Sequence, residues 1–114
     1  MYVWRSLKLQ SQVNLTLMGA TIYILRCEDG SYYTGITDKN LDTRVSEHQQ
    51  GLYDGFTARR RPVTLVYDCH FEQVTDAIAC ERQIKGWRRE KKEALIRGEF
   101  EVLPELSRRG AKAK

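Results

Sequence analysis

The chain has 114 residues, enough for one domain with a modest hydrophobic core and too few for two. Its 41% hydrophobic and 30% charged residues exclude a disordered or low-complexity chain. The formal net charge of +4 is compatible with a polyanionic partner without requiring one. The three cysteines show no C-x-x-C spacing, which indicates a reducing, cytoplasmic compartment without a zinc ribbon, disulfide scaffold or disulfide-linked partner.

The first nineteen residues fit no regular element and are treated as an N-terminal extension. They lack the continuous apolar core and cleavage site of a signal peptide, and Met18 is an alternative start. No apolar run along the chain reaches the length of a membrane span, so we expect no membrane partner.

A hairpin is predicted for the segment TIYILRCEDGSYYTGIT, from Thr21 to Thr37. Both halves are rich in β-branched and aromatic residues, and EDGS supplies the turn. Tyr23 and Tyr33 then lie on adjacent strands, where one sheet face can carry both hydroxyls. The simpler interpretation is that tyrosines favour strands.

The next elements are a helix over 41–50, capped by Asp38 or Asn40 and ended by Gly51, and an irregular loop over 52–61. A third strand is predicted over 62–71, opened by its proline.

Three helices are predicted for the remainder of the chain. The first covers 76–85 with Thr75 as its cap, the second covers 89–96 and ends at Gly98, and a short one covers 101–109. The order predicts an α+β domain over 20–98, with a small, mostly antiparallel sheet flanked by helices. Residues 99–114 are then a short helix and a basic tail.

Glu81 is a candidate functional residue because its helix is expected to bury Ala77, Ile78 and Ile84 on the same side. A carboxylate there is costly unless it is paired or bound to a cation. An ion pair with Lys85 and a metal-binding role are about equally favoured by the sequence.

Arg44 and His48 lie four residues apart and share a helix face. A guanidinium can bind a phosphate oxygen in a forked geometry, and an imidazole can transfer a proton near neutral pH. An exposed pair without a function is the alternative for these two residues alone.

Together these residues resemble the GIY-YIG nuclease domain. The resemblance runs from about Thr21 to Ile96 and is strongest in YILRCEDGSYYTGIT, with further matches at RRPVTLVY (60–67) and ERQIK (81–85). It is closest to small, stand-alone bacterial members. It implies a three-stranded antiparallel sheet, one divalent metal and hydrolysis of DNA phosphodiester bonds, as in DNA repair or recombination.

The resemblance also implies roles for four site residues. Tyr23 matches the tyrosine that activates water, which requires a lowered pKa, and Tyr33 matches the tyrosine that positions water or phosphate. Arg44 matches the arginine that holds the scissile phosphate, and His48 would assist Tyr23 or contact that phosphate.

Glu81 matches the family's acidic ligand for Mg²⁺ or Mn²⁺, and Gly35 matches the glycine that lets the backbone approach the site. Two features depart from the family pattern. Thr21 replaces the first glycine of the family name, and no asparagine follows Glu81 where many members carry one.

Clusters of basic residues are expected to contact nucleic-acid phosphates rather than bases. They are Arg59, Arg60, Arg61, Lys85, Arg88 and Arg89. The alternative to a nuclease is a non-catalytic nucleic-acid-binding module on the same scaffold.

Overall fold

A three-stranded antiparallel sheet forms the centre of the molecule. The computed structural model describes residues 19–53, 55–104 and 106. The strands are β1 (Ala20–Arg26), β2 (Tyr32–Thr37) and β3 (Thr64–Phe71), in the spatial order β2-β1-β3. The central strand therefore pairs on both sides, which confirms the expected fold class.

Three helices flank the sheet: α1 (Leu41–Gln49), α2 (Val74–Lys85) and α3 (Arg89–Arg97). A 3-10 turn, Phe100–Val102, follows them. Among the described helices, none has the length and apolar character that a membrane span requires.

The hairpin and α1 form where the sequence predicts them, for identifiable local reasons. Gly30 takes a positive φ of 86° in the turn between β1 and β2. Asn40 is the N-cap of α1, and its side chain accepts a hydrogen bond from Thr43 N at 3.1 Å. Gly51 follows the helix with a φ of 76°.

Two local predictions differ from the structure. β3 begins at Thr64, two residues after the proline, and α2 begins at Val74 with Gln73 at the cap position, so Thr75 is not its cap. The segment expected to form a last helix contains the 3-10 turn and then helical residues at Leu103, Pro104 and Leu106, whereas its residues 105 and 107–109 and the rest of the tail lie outside the described residues.

Because side chains alternate along a strand, β1 contributes to two separate cores. One face packs Ile22 and Ile24 against Ala77 and Ile84 of α2. Ile78 is 37% exposed, so the expectation that α2 buries it is wrong. The buried line of α2 is instead Ala77, Glu81 and Ile84, spaced four and three residues apart.

The opposite face of β1 carries Tyr23 and Leu25, which pack with Val63. Leu41 and Val45 of α1 cover this second core, as their i, i+4 spacing predicts. Helix α1 therefore stands over Tyr23, whereas α2 covers the other face of the sheet.

Candidate active site

Tyr23 is the buried centre of the candidate site. It is 0% exposed, and its hydroxyl is 2.9 Å from His48 Nε2. Tyr23 pairs with Gly35 on β2, and a Cβ at position 35 would lie 2.5 Å from Cζ and Oη of the tyrosine. Gly35 therefore supplies the space that the ring occupies, since any larger residue would collide with it.

His48 links the sheet to the loop after α1. The residue lies in the last turn of α1 and is 1% exposed. While its Nε2 faces Tyr23, its Nδ1 is 2.9 Å from Oγ1 of Thr57, which is also buried. Both ring nitrogens are thus paired with hydroxyl groups, so neither is left as a costly unsatisfied polar atom.

Burial sets the protonation of both residues. It raises the pKa of Tyr23 to about 12; the neighbouring Tyr33 adds to the rise, and Arg44 opposes it. Burial, followed by the nearby charge of Arg44, lowers the pKa of His48. The expectation of a lowered tyrosine pKa is wrong for this structure: Tyr23 is a protonated phenol beside a neutral imidazole at pH 7.

Of the two predicted site tyrosines, Tyr33 is the one that is open to solvent. It is half-buried, with its ring centroid 5.1 Å from that of His48 and 6.3 Å from that of Tyr23. Among the described residues, its hydroxyl has no hydrogen-bond partner, so it is available to a bound molecule. The predicted tyrosine pair does share one face of the sheet.

Arg44 lies beside this cluster, one helical turn before His48. Its guanidinium lies 5.0 Å from the centroid of the Tyr53 ring, and its Nε is 3.8 Å from Glu47 Oε1. That Nε is shielded from solvent and makes no hydrogen bond to any described residue. The side chain therefore retains donor capacity beside the tyrosines.

Glu47, Tyr53 and Thr57 belong to the cluster but were not predicted. Tyr53 donates a hydrogen bond to Glu47, which is the main cause of the lowered pKa of that carboxyl. The Tyr53 ring centroid is 4.8 Å from that of His48. The three-residue spacing between Arg44 and Glu47 could have indicated their ion pair from the sequence. No sequence pattern marks Tyr53 and Thr57, which lie in the loop after α1.

Glu81 lies on α2, not on the elements that carry the tyrosine–histidine cluster. It is 7% exposed on α2, and its Oε2 is 2.9 Å from Lys85 Nζ, as one of the two sequence interpretations proposed. In the part of the chain that the structure describes, it makes no hydrogen bond or ion pair with the cluster. The same residues contain no group of three or more His, Cys, Asp or Glu side chains suited to a metal ion.

The environment of Glu81 nevertheless fits a single anionic metal ligand. Its buried carboxylate already holds a positive charge, the Lys85 ammonium, at hydrogen-bonding distance. Mg²⁺ commonly binds one or two carboxylates and keeps several water ligands. A divalent cation would compete with Lys85, which is 57% exposed and free to swing away.

Most of the predicted phosphate contacts are engaged within the protein. Arg60 Nε donates to Asp29 at 3.0 Å, and Arg61 Nε donates to the Ala58 carbonyl at 2.9 Å. Lys85, Arg88 and Arg89 form ion pairs with carboxylates of α2 and α3. Arg59 is exposed and has no hydrogen bond or ion pair with a described residue.

Comparisons with known proteins identify the family of this chain. The model of the GIY-YIG catalytic domain matches residues 19–94. The chain belongs to the GIY-YIG family. A UPF0213 protein of Staphylococcus aureus (strain Mu3 / ATCC 700698) is 42% identical over 76 residues, which are 67% of this chain and 92% of that protein.

Two solved structures of other proteins are similar to this chain. The protein EF2693 from E. faecalis is 32% identical, with a TM-score of 0.52 over 72% of this chain and 86% of that chain. The UPF0213 protein BH0048 from Bacillus halodurans is 38% identical, with a TM-score of 0.47 over 69% of this chain and 83% of that chain. The first of these similarities supports the α+β fold of this GIY-YIG domain.

Proposed function

We propose that this protein is a divalent-metal-dependent nuclease that hydrolyses phosphodiester bonds in DNA. The observation that carries the proposal is the buried hydrogen bond between Tyr23 and His48, with Tyr33 and Arg44 beside it. Membership of the GIY-YIG family favours a nuclease-type function. The metal, the choice of DNA and a role in repair or recombination are part of this proposal.

The chain's own residues have complementary tasks in this reaction. His48 Nε2 lies within hydrogen-bond reach of the Tyr23 proton and can accept it, and Tyr33 presents a hydroxyl on the solvent side to orient water or phosphate. Arg44 carries the positive charge that favours the added negative charge of the transition state. The substrate approaches on the Tyr33 side, because Tyr23 has no exposed surface.

Glu81 is the residue that would hold the metal. When bound, a divalent cation supplies charge neutralisation and lowers the pKa of water. A metal ion would have to displace Lys85 from the Glu81 carboxylate. Metal affinity is therefore expected to rise when Lys85 is replaced by a neutral residue.

A non-catalytic nucleic-acid-binding module is the second candidate. It is favoured by a specific observation: the Tyr23 hydroxyl is fully buried, and the Glu81 carboxylate is already paired with Lys85. Both reactive groups are therefore satisfied within the protein.

Incubation with labelled single-stranded, duplex and branched DNA, and with matched RNA, distinguishes the two candidates. We expect cleavage of DNA with Mg²⁺ or Mn²⁺ and none with EDTA. The control is Glu81→Gln, which keeps the shape of the side chain and removes its charge, with binding measured in parallel by fluorescence anisotropy. Binding without cleavage under every metal condition would favour the second candidate, and preference for branched DNA would support a repair or recombination role.

A further inference from the structure

Thr57 is a buried polar residue in the turn that follows α1. It is 2% exposed, and its Oγ1 lies 2.9 Å from Nδ1 of His48. A buried hydroxyl in a loop is costly unless it is hydrogen-bonded. The contact with His48 is therefore a specific one, which holds the imidazole from the side opposite to Tyr23.

The two hydroxyls that contact His48 differ in chemistry. A neutral imidazole has one N–H donor and one lone-pair acceptor, so one hydroxyl must donate to it and the other must accept from it. A phenol is more acidic than an aliphatic alcohol, so it is the better donor and the poorer acceptor. This difference favours donation from Tyr23 to Nε2 and from Nδ1–H to Thr57 Oγ1.

The turn that carries Thr57 is fixed by Arg60. The Arg60 side chain donates to the Phe56 carbonyl and to Asp29 Oδ2, both at 3.0 Å. The Arg60 backbone N–H donates to the Thr57 carbonyl at 3.0 Å. Since Asp29 lies in the turn between β1 and β2, these bonds tie the Thr57 turn to the hairpin that carries Tyr23.

We propose that Thr57 is a positioning residue that holds His48 in the tautomer with its proton on Nδ1, leaving Nε2 to accept the proton of Tyr23. The effect on the tautomer follows from the buried hydrogen bonds alone, whereas its catalytic consequence rests on the proposed nuclease function. Arg60 serves the same arrangement by fixing the turn, a task distinct from phosphate binding.

The tautomer is measured directly by ¹⁵N NMR of the full chain labelled at histidine. The two histidines, His48 and His70, are assigned with a His70→Asn variant. We expect wild-type His48 to carry its proton on Nδ1. Thr57→Val should raise the population with the proton on Nε2, because it leaves Nδ1–H buried without an acceptor. Thr57→Ser should keep the wild-type tautomer.

The chain offers a matched control in a second threonine–histidine pair. Thr21 Oγ1 lies 2.9 Å from Nδ1 of His70 at an exposed site, so Thr21→Val removes the same type of hydrogen bond. It should leave the His48 signals and the cleavage rate unchanged. A wild-type His48 with its proton on Nε2, or an unchanged tautomer in Thr57→Val, would overturn the proposal. If Thr57→Val does not fold, Thr57→Ala replaces it, and the wild-type measurement needs no variant.

Steady-state cleavage tests the catalytic consequence. We expect Thr57→Val to lower kcat by at least about ten-fold, because a misplaced proton-transfer group loses much of its catalytic effect. KM for DNA should stay nearly unchanged. Thr57→Ser should restore kcat to within about three-fold of wild type. A changed tautomer with unchanged kcat would overturn the positioning role. Absence of cleavage by the wild type would instead refute the proposed nuclease function, and the NMR result would still decide the effect of Thr57 on His48.

Discussion

Tyr23→Phe removes a single hydroxyl from the most buried part of the molecule. The ring can stay against Gly35, because phenylalanine has the same shape up to the missing oxygen. His48 Nε2 then loses its hydrogen-bond partner, and at 1% exposure the imidazole has little access to replacement water. The substitution should therefore destabilise the fold as well as impair proton transfer.

The expected cost follows from the energetics of buried hydrogen bonds. Leaving a buried acceptor unsatisfied costs about 1–3 kcal/mol. For a chain of this length, that corresponds to a fall in Tm of about 4–12 °C. Cleavage should fall by roughly a hundred-fold or more if Tyr23 takes part in proton transfer. A hydroxyl that faced an open cleft could be removed with little effect on stability; the cost arises here because Tyr23 is fully buried.

Urea denaturation and cleavage assays on the same samples measure both effects. Tyr33→Phe is the matched control, since it makes the same chemical change on the neighbouring strand where no hydrogen bond to a described residue is lost. Its free energy of unfolding should stay within about 0.5 kcal/mol of wild type. Equal unfolding free energies for Tyr23→Phe and Tyr33→Phe would refute the reasoning about the buried pair, and an undiminished cleavage rate in Tyr23→Phe would exclude Tyr23 as a proton-transfer group.

Three further predictions concern the metal, the nucleic acid and pH. Glu81→Ala should abolish Mg²⁺-dependent cleavage while DNA affinity and Tm stay close to wild type, and wild-type turnover by this variant would exclude Glu81 as the metal ligand. Arg59→Ala should reduce the log–log salt dependence of DNA binding by about one unit, whereas Arg60→Ala should mainly lower Tm; an unaltered salt slope in Arg59→Ala would place the DNA elsewhere. Because the folded state lowers the pKa of His48, the unfolded chain binds more protons, so the free energy of unfolding should fall between pH 7 and pH 5 by up to about 1.4 kcal/mol per unit. That slope should persist in His70→Asn and diminish in His48→Gln, and its persistence in His48→Gln would contradict the assignment.

The hairpin and its tyrosines were predictable because their causes are local. Alternation along β1 and β2, with a short turn between them, places Tyr23 and Tyr33 on one face, and the structure confirms it. Arg44 and His48 are four residues apart and therefore lie on the same side of α1. When Leu41 packs on the sheet, that side of the helix lies beside the tyrosines.

The rest of the candidate site depends on tertiary packing. Thr57 meets His48 only because a turn held by Arg60 folds back over α1, and no sequence period marks that contact. The direction of the Tyr23 pKa shift was also beyond sequence reasoning, because it is set by how completely the neighbouring elements exclude water. The sequence could not decide between Lys85 and a metal ion as the partner of Glu81, because both interpretations start from the same buried carboxylate.

The fit of the Tyr23 ring over Gly35 has a consequence for the order in which the site assembles. Both residues lie within the hairpin, so this contact joins segments only twelve positions apart and can form early, as local contacts do. His48 and Thr57 lie farther along the chain, so we expect them to join when α1 and the following turn dock onto the hairpin. A methyl group at position 35 would block that first step, so Gly35→Ala should slow folding as well as weaken the folded state.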